Sequence, residues 1–159
     1  MTAKAEFPTD EWERLVQLPR WVVVAASAAQ RDLPHRTTIE VEAGYIASAN
    51  GRNTGNVFVT EVAEDTLRLF DGRADTTPAE FSDRKTAVAA VLARAQEANQ
   101  ILKARVSIAD AMAYRRWLLT ITDVVISAAR TGDFLGFGGK LVTESEQDFR
   151  DRLVVVLQS

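Results

Sequence analysis

A glycine-rich segment that ends in a lysine is the part of this sequence closest to a phosphate-binding loop. Residues 134–140 read Phe-Leu-Gly-Phe-Gly-Gly-Lys. A P-loop needs glycine, four residues, Gly-Lys and then serine or threonine, because backbone N–H groups and the lysine surround the phosphates. Phe134 occupies the first glycine position, and Leu141 follows Lys140. Leu141 also stands where a dinucleotide-binding loop needs its third glycine, so the spacing argues against nucleotide binding.

The large apolar side chains of this segment are Phe134, Leu135 and Phe137. One interpretation is an anchored connection: Gly132 ends the preceding helix, and the three side chains fold back into the core. The alternative is an interaction loop in which the same side chains contact a partner or a membrane surface. Both interpretations stay open at this level.

Acidic residues flank the segment and could bind a hard cation or a small ligand. The candidates are Asp133, Glu144 and Glu146. Carboxylate oxygens are the ligands that calcium and magnesium prefer, but the acids do not follow the spacing of a calcium loop. The other interpretation is that Glu144 and Glu146 belong to a helix start, where acids match the helix dipole.

Other catalytic chemistries have little to work with. The chain has no cysteine and one histidine, His35. Thiol nucleophiles and cysteine-based metal sites are therefore excluded, and a Ser–His–Asp triad would have to use a histidine in a predicted loop. No Glu-x-x-His pair exists for a helical di-iron site. We assign no catalytic residue and expect no cofactor.

Composition indicates one soluble domain over residues 1–159. Nineteen basic and 22 acidic residues give a net charge of -3, which is not typical of a nucleic-acid-binding protein. The longest apolar run, residues 21–26, is far shorter than the roughly 20 residues of a membrane-spanning helix. The N-terminus also lacks an apolar stretch of signal-peptide length. We expect a cytoplasmic protein with no transmembrane segment.

Helical spacing of apolar residues predicts the elements of the fold. In the first half, Pro19 is taken as the first turn of a second helix, and Thr37 with Glu40 forms a capping box. Residues 57–70 fit both strand and helix, and helix is favoured because a lone strand would have no partner. The seven predicted helices cover 9–16, 19–30, 37–49, 57–70, 83–105, 107–130 and 143–157.

The sequence therefore predicts an all-α, single-domain bundle of about seven helices. An internal echo adds a second possibility. Thr37-x-x-Glu40 and Thr143-x-x-Glu146 each follow an alanine- and valine-rich helix and a loop. Two related helix–loop–helix halves would explain this pattern. Chance recurrence in alanine-rich helices is the alternative.

The C-terminal part, residues 87–157, resembles a family of small bacterial helical proteins of unassigned function. The resemblance is carried by Gly-Asp-Phe-Leu-Gly-Phe-Gly-Gly at 132–139 and Val-Thr-Glu-Ser-Glu at 142–146. It implies an all-helical fold and no particular activity. The helix–loop–capped-helix layout is also similar to TerB-like tellurite-resistance proteins, which are linked to metal stress. Of the acidic loop residues in that group, this chain has Asp32 and Asp133.

Three functional hypotheses follow from these observations. The leading one is a non-enzymatic protein that acts through protein–protein contacts or self-association. The second is a stress-response protein of TerB-like kind that binds a metal or small ligand near Asp133, Glu144 and Glu146. The third is a peripheral membrane contact through Phe134, Leu135 and Phe137.

Overall fold

The structure, a computed structural model, describes residues 2–28, 34–72, 83–131 and 144–159. Within these ranges it contains helices and no strand, which confirms the all-α prediction. Short 3₁₀ helices occupy Lys4–Glu6 and Asn50–Asn53. The six α-helices of the described residues are α1 (Thr9–Ala28), α2 (Pro34–Ala49), α3 (Val57–Gly72), α4 (Arg84–Arg105), α5 (Ile108–Thr131) and α6 (Glu144–Gln158).

The predicted break at Pro19 is wrong, because α1 continues through this residue. Proline has no N–H, so the carbonyl of Leu15 loses its donor four residues ahead. The buried hydroxyl of Tyr114 donates to that carbonyl at 2.7 Å instead. The hydroxyl of Thr66 lies 2.9 Å from the next carbonyl, that of Val16, and 2.8 Å from the carbonyl of Val62 in its own helix. A side chain of α5 therefore supplies the donor that Pro19 lacks.

The start of α2 also differs from the prediction. The helix begins at Pro34, three residues before Thr37, so Thr37 lies inside it and is not its N-cap. His35, predicted in a loop, lies in the first turn of this helix. Proline suits a first turn because its missing N–H has no helical acceptor there. The capping-box pattern was therefore misleading at this position.

Two glycines allow close packing around α2. A Cβ on Gly44 would lie 2.5 Å from Cγ1 of Val23 in α1. The backbone of α2 therefore packs directly against the Val23 side chain. A Cβ on Gly51, just after α2, would lie 2.7 Å from the indole ring of Trp117. Among the described glycines, only Gly55 has a positive φ. The contact with the indole ring is what requires glycine at position 51.

The ambiguous stretch 57–70 is helical, as favoured. Asn56 precedes it, and its side-chain oxygen accepts a hydrogen bond from the N–H of Val59 at 2.9 Å, which caps the helix. The helix buries one continuous face against α1, α2 and α5. The buried residues recur at helical spacing: Phe58, Val59, Val62, Ala63, Thr66 and Leu67.

Helices α4 and α5 begin and end within one residue of their predicted limits. The side chain of Asp83 caps α4, and the hydroxyl of Ser107 accepts from the N–H of Asp110 to cap α5. The spacing of Trp117, Ile121, Val124 and Ala128 predicts one apolar face of α5, but Val124 is 37% exposed, while Val125 is buried. Helical spacing of apolar residues predicts a core stripe on α4, and all of its members are buried: Val88, Val91, Leu92, Ala95 and Leu102.

Candidate interaction surface

Most of the residues predicted to form a site lie outside the described ranges. This holds for Asp133 and for the proposed interaction loop of Phe134, Leu135 and Phe137. Glu144 is the first residue of α6, and its side chain is not among those described. Glu146 is buried, at 2% exposure. The cation-binding and membrane-contact hypotheses therefore stay predictions.

Among the described residues, no three carboxylate or imidazole side chains are grouped so that they could hold an ion. The helices in these ranges also include none that is long and apolar enough to cross a membrane.

Asp110 is a buried carboxylate whose hydrogen bonds make it structural. Its oxygens accept from the N–H of Thr2 at 2.9 Å and from the side-chain amide of Asn56 at 2.8 Å. Burial alone raises the pKa of Asp110, but these hydrogen bonds outweigh it and lower the pKa to about 2. A carboxylate held in this way joins the N-terminal segment to α3 and α5.

A second carboxylate, Asp65, holds the same N-terminal segment. It accepts from the indole N–H of Trp12 at 2.8 Å and from the ammonium of Lys4 at 2.6 Å. Burial acts to raise the pKa of Asp65, and hydrogen bonds from Lys4 and Trp12 lower it overall. Phe7 of the same segment packs on Trp12 and Phe58, with ring centroids 5.3 and 5.9 Å away. Both carboxylates therefore hold structure together.

An open groove between α4 and α6 is a better candidate for function. It has a volume of ≈ 510 Å³. Its walls are mainly apolar, with one acidic and one basic side chain. The lining residues are Leu92, Ala93, Gln96, Asp151, Arg152, Val155 and Val156.

The two outward residues of α4 that line the groove, Ala93 and Gln96, are uncharged. Ala89, Ala93, Gln96 and Gln100 are all exposed and follow one another at steps of four, three and four residues. Such spacing places them on one face of the helix. A helix face of this kind allows another helix to approach closely.

The α6 wall carries a large apolar side chain that is exposed to solvent. Val155 is 67% exposed, although its neighbours Leu153 and Leu157 are buried in the core. Asp151 accepts from the amide of Gln147 at 2.8 Å. The guanidinium nitrogen Nη1 of Arg152 lies 3.7 Å from the carboxylate oxygen Oδ2 of Asp148, one turn earlier in the helix. The groove therefore offers an apolar centre with a positive and a negative charge side by side.

Asn99 fixes the relative position of the groove walls. Its side-chain amide donates to the carbonyl of Val156 at 3.2 Å, which ties α4 to α6. Its side-chain oxygen accepts from Arg115 of α5 at 2.7 Å. Lys103 also donates to the carbonyl of Ser159 at the end of α6. Because both walls are tied together, the groove is preformed.

The lining favours binding over catalysis. Asp151 is its one carboxylate, and this residue is exposed and bonded to Gln147. The apolar wall can bind another apolar surface by excluding water.

Only the inner edge of this groove is predictable from the sequence. Helical spacing predicts Leu92 and Val156 as inward residues, and both line the groove. The outward residues Ala93, Gln96 and Val155 were missed. The row of exposed, uncharged residues along α4 is the sequence feature that could have pointed to the groove. Such a row indicates a binding surface only when the position of the neighbouring helix is known.

The comparisons with known proteins add no family. No protein-family model, curated protein or solved structure matches this chain. The resemblance of its tail to small bacterial helical proteins, and the fainter one to TerB-like proteins, stay predictions. The function must therefore be argued from the groove itself.

Proposed function

We propose that this protein is a non-enzymatic helical binding protein that docks another protein on the groove between α4 and α6. The observation that carries the proposal is Val155, which stands 67% exposed at the edge of a preformed, mainly apolar groove. A single exposed valine on a convex surface is ordinary. An exposed valine at the border of a concave apolar surface is typical of a groove that binds the apolar face of an amphipathic helix.

The charge of the groove supports a protein partner over a nucleic acid. Its lining has one acid, Asp151, and one base, Arg152, so its formal charge is balanced. Nucleic-acid binding depends on an excess of basic residues facing the phosphates. A neutral, apolar wall suits the apolar face of a protein helix.

Site-specific photocrosslinking in cells that make the protein tests this proposal. A photoreactive amino acid is placed at Val155 or at Ala93, one on each wall of the groove. The matched control position is Ile46, which is 53% exposed on α2 and does not line the groove. We expect covalent protein adducts from both groove positions and few from the control. Equal labelling at all three positions, or no adduct at Val155 and Ala93, would refute the proposal.

A further inference from the structure

We infer that the partner in the groove is a second copy of this chain, bound face to face about a two-fold axis. The inference rests on the proposed function and identifies its partner. In a two-fold interface the same surface is used on both sides, so this surface must be complementary to itself. The α4–α6 groove has that property in its charges and in its shape.

The charges are self-complementary because Asp151 and Arg152 are neighbours on the rim of the groove. A two-fold axis that passes beside these positions places Asp151 of each copy next to Arg152 of the other. Both contacts form together by symmetry. A partner with a strong charge of one sign would gain nothing from this rim, because one of the two residues would repel it.

The shape is self-complementary because the groove supplies both a projection and a recess. Val155 lies four residues, about one turn, beyond Asp151 on α6. When the two α6 helices cross beside Asp151 and Arg152, Val155 of each copy lies over the α4 wall of the other. That wall presents Ala93 and Gln96, which leave room for a valine side chain.

Charge reversal tests the inference, with the dissociation constant measured by sedimentation over a range of concentrations. We expect Asp151→Arg and Arg152→Asp each to weaken the dimer roughly tenfold, because two symmetry-related exposed charge contacts change from attraction to repulsion. Mixing the two variants should restore the dimer, because one then carries two bases and the other two acids. The double variant should also associate as the original chain does.

Val155→Asp and Ile46→Asp are the matched pair for the apolar contact. The first should abolish the dimer and the second should leave it intact. Circular dichroism and thermal unfolding of each variant establish that it is folded. The inference is overturned if the folded chain is monomeric at all concentrations, or if mixing the reversed variants fails to restore association.

The crosslinking experiment separates this inference from the proposed function. An adduct with twice the mass of the chain supports the second copy. Adducts from Val155 and Ala93 to a different protein overturn the second copy and leave the groove as a docking site. An absence of adducts from both positions, in a chain that is also monomeric in sedimentation, refutes both.

Discussion

The hydroxyl of Tyr114 should stabilise the protein because it replaces a backbone donor that Pro19 lacks. Tyr114→Phe keeps the ring and removes only the donor to the Leu15 carbonyl, 2.7 Å away in the core. Burial raises the pKa of Tyr114, so the hydroxyl keeps its proton and donates it. Leaving a buried carbonyl without a partner costs about 2 kcal/mol, within the range for such groups. Urea unfolding, followed by tryptophan fluorescence, measures this loss.

Pro19→Ala turns the prediction into a double-mutant cycle. Alanine supplies the missing N–H, so α1 can bond the Leu15 carbonyl through its own backbone. In the Pro19→Ala background, Tyr114→Phe should lower the free energy of unfolding by about 1 kcal/mol less than it does when Pro19 is present. A double-mutant cycle can resolve a coupling of this size. Any packing lost with the proline ring cancels, because it affects both arms of the cycle equally.

Tyr45→Phe is the matched control. Tyr45 lies on α2, packs edge-on against Phe70, and its hydroxyl has no hydrogen-bond partner in the described part of the chain. Removing this hydroxyl should change the free energy of unfolding by less than about 0.5 kcal/mol, as for an ordinary surface substitution. Equal losses for Tyr114→Phe with and without Pro19 would refute the argument that the hydroxyl substitutes for the missing donor.

Three further predictions concern packing, pH and the groove. Gly44→Ala should lower the free energy of unfolding, measured in urea, by about 1–3 kcal/mol, because its Cβ would lie 2.5 Å from the Val23 side chain. An increase in the free energy of unfolding would contradict this packing. The pKa of Asp110 is lowered to about 2, so its stabilisation is complete above about pH 4 and should fall as the pH drops toward 2. Urea unfolding at several pH values should show a flatter acid dependence for Asp110→Asn, and an unchanged profile would refute this. Val155→Asp should alter the free energy of unfolding of the monomer by less than about 0.5 kcal/mol, since the side chain is exposed, and a larger loss would place Val155 in the core.

Much of the helical fold was predictable because its signals are local. The helices predicted at 83–105 and 107–130 are present as α4 and α5, each within one residue of its predicted limits. The side chains of Asp83 and Ser107 cap them. A capping side chain and the helix that it begins lie within four residues of each other, so one sequence contains the whole signal.

The same local signals failed where tertiary contacts replaced them. Pro19 locally indicates a helix start, yet α1 continues through it, and the hydroxyl of Tyr114 reaches the Leu15 carbonyl from a distant part of the chain. The Thr37 capping pattern likewise lies inside a helix that had already begun at Pro34. Local patterns show what a segment can do, and long-range packing selects among the possibilities.

The sequence by itself determined the helical class and the lack of cysteine chemistry, because composition and the spacing of apolar residues carry that information. Only the tertiary structure decided that α1 is one helix and that α4 and α6 leave a groove. Val155 lies between two buried residues, Leu153 and Leu157, so its exposure depends on how α6 is rotated against α4. That rotation is a property of two helices packed together, and it is not encoded in the period of either one.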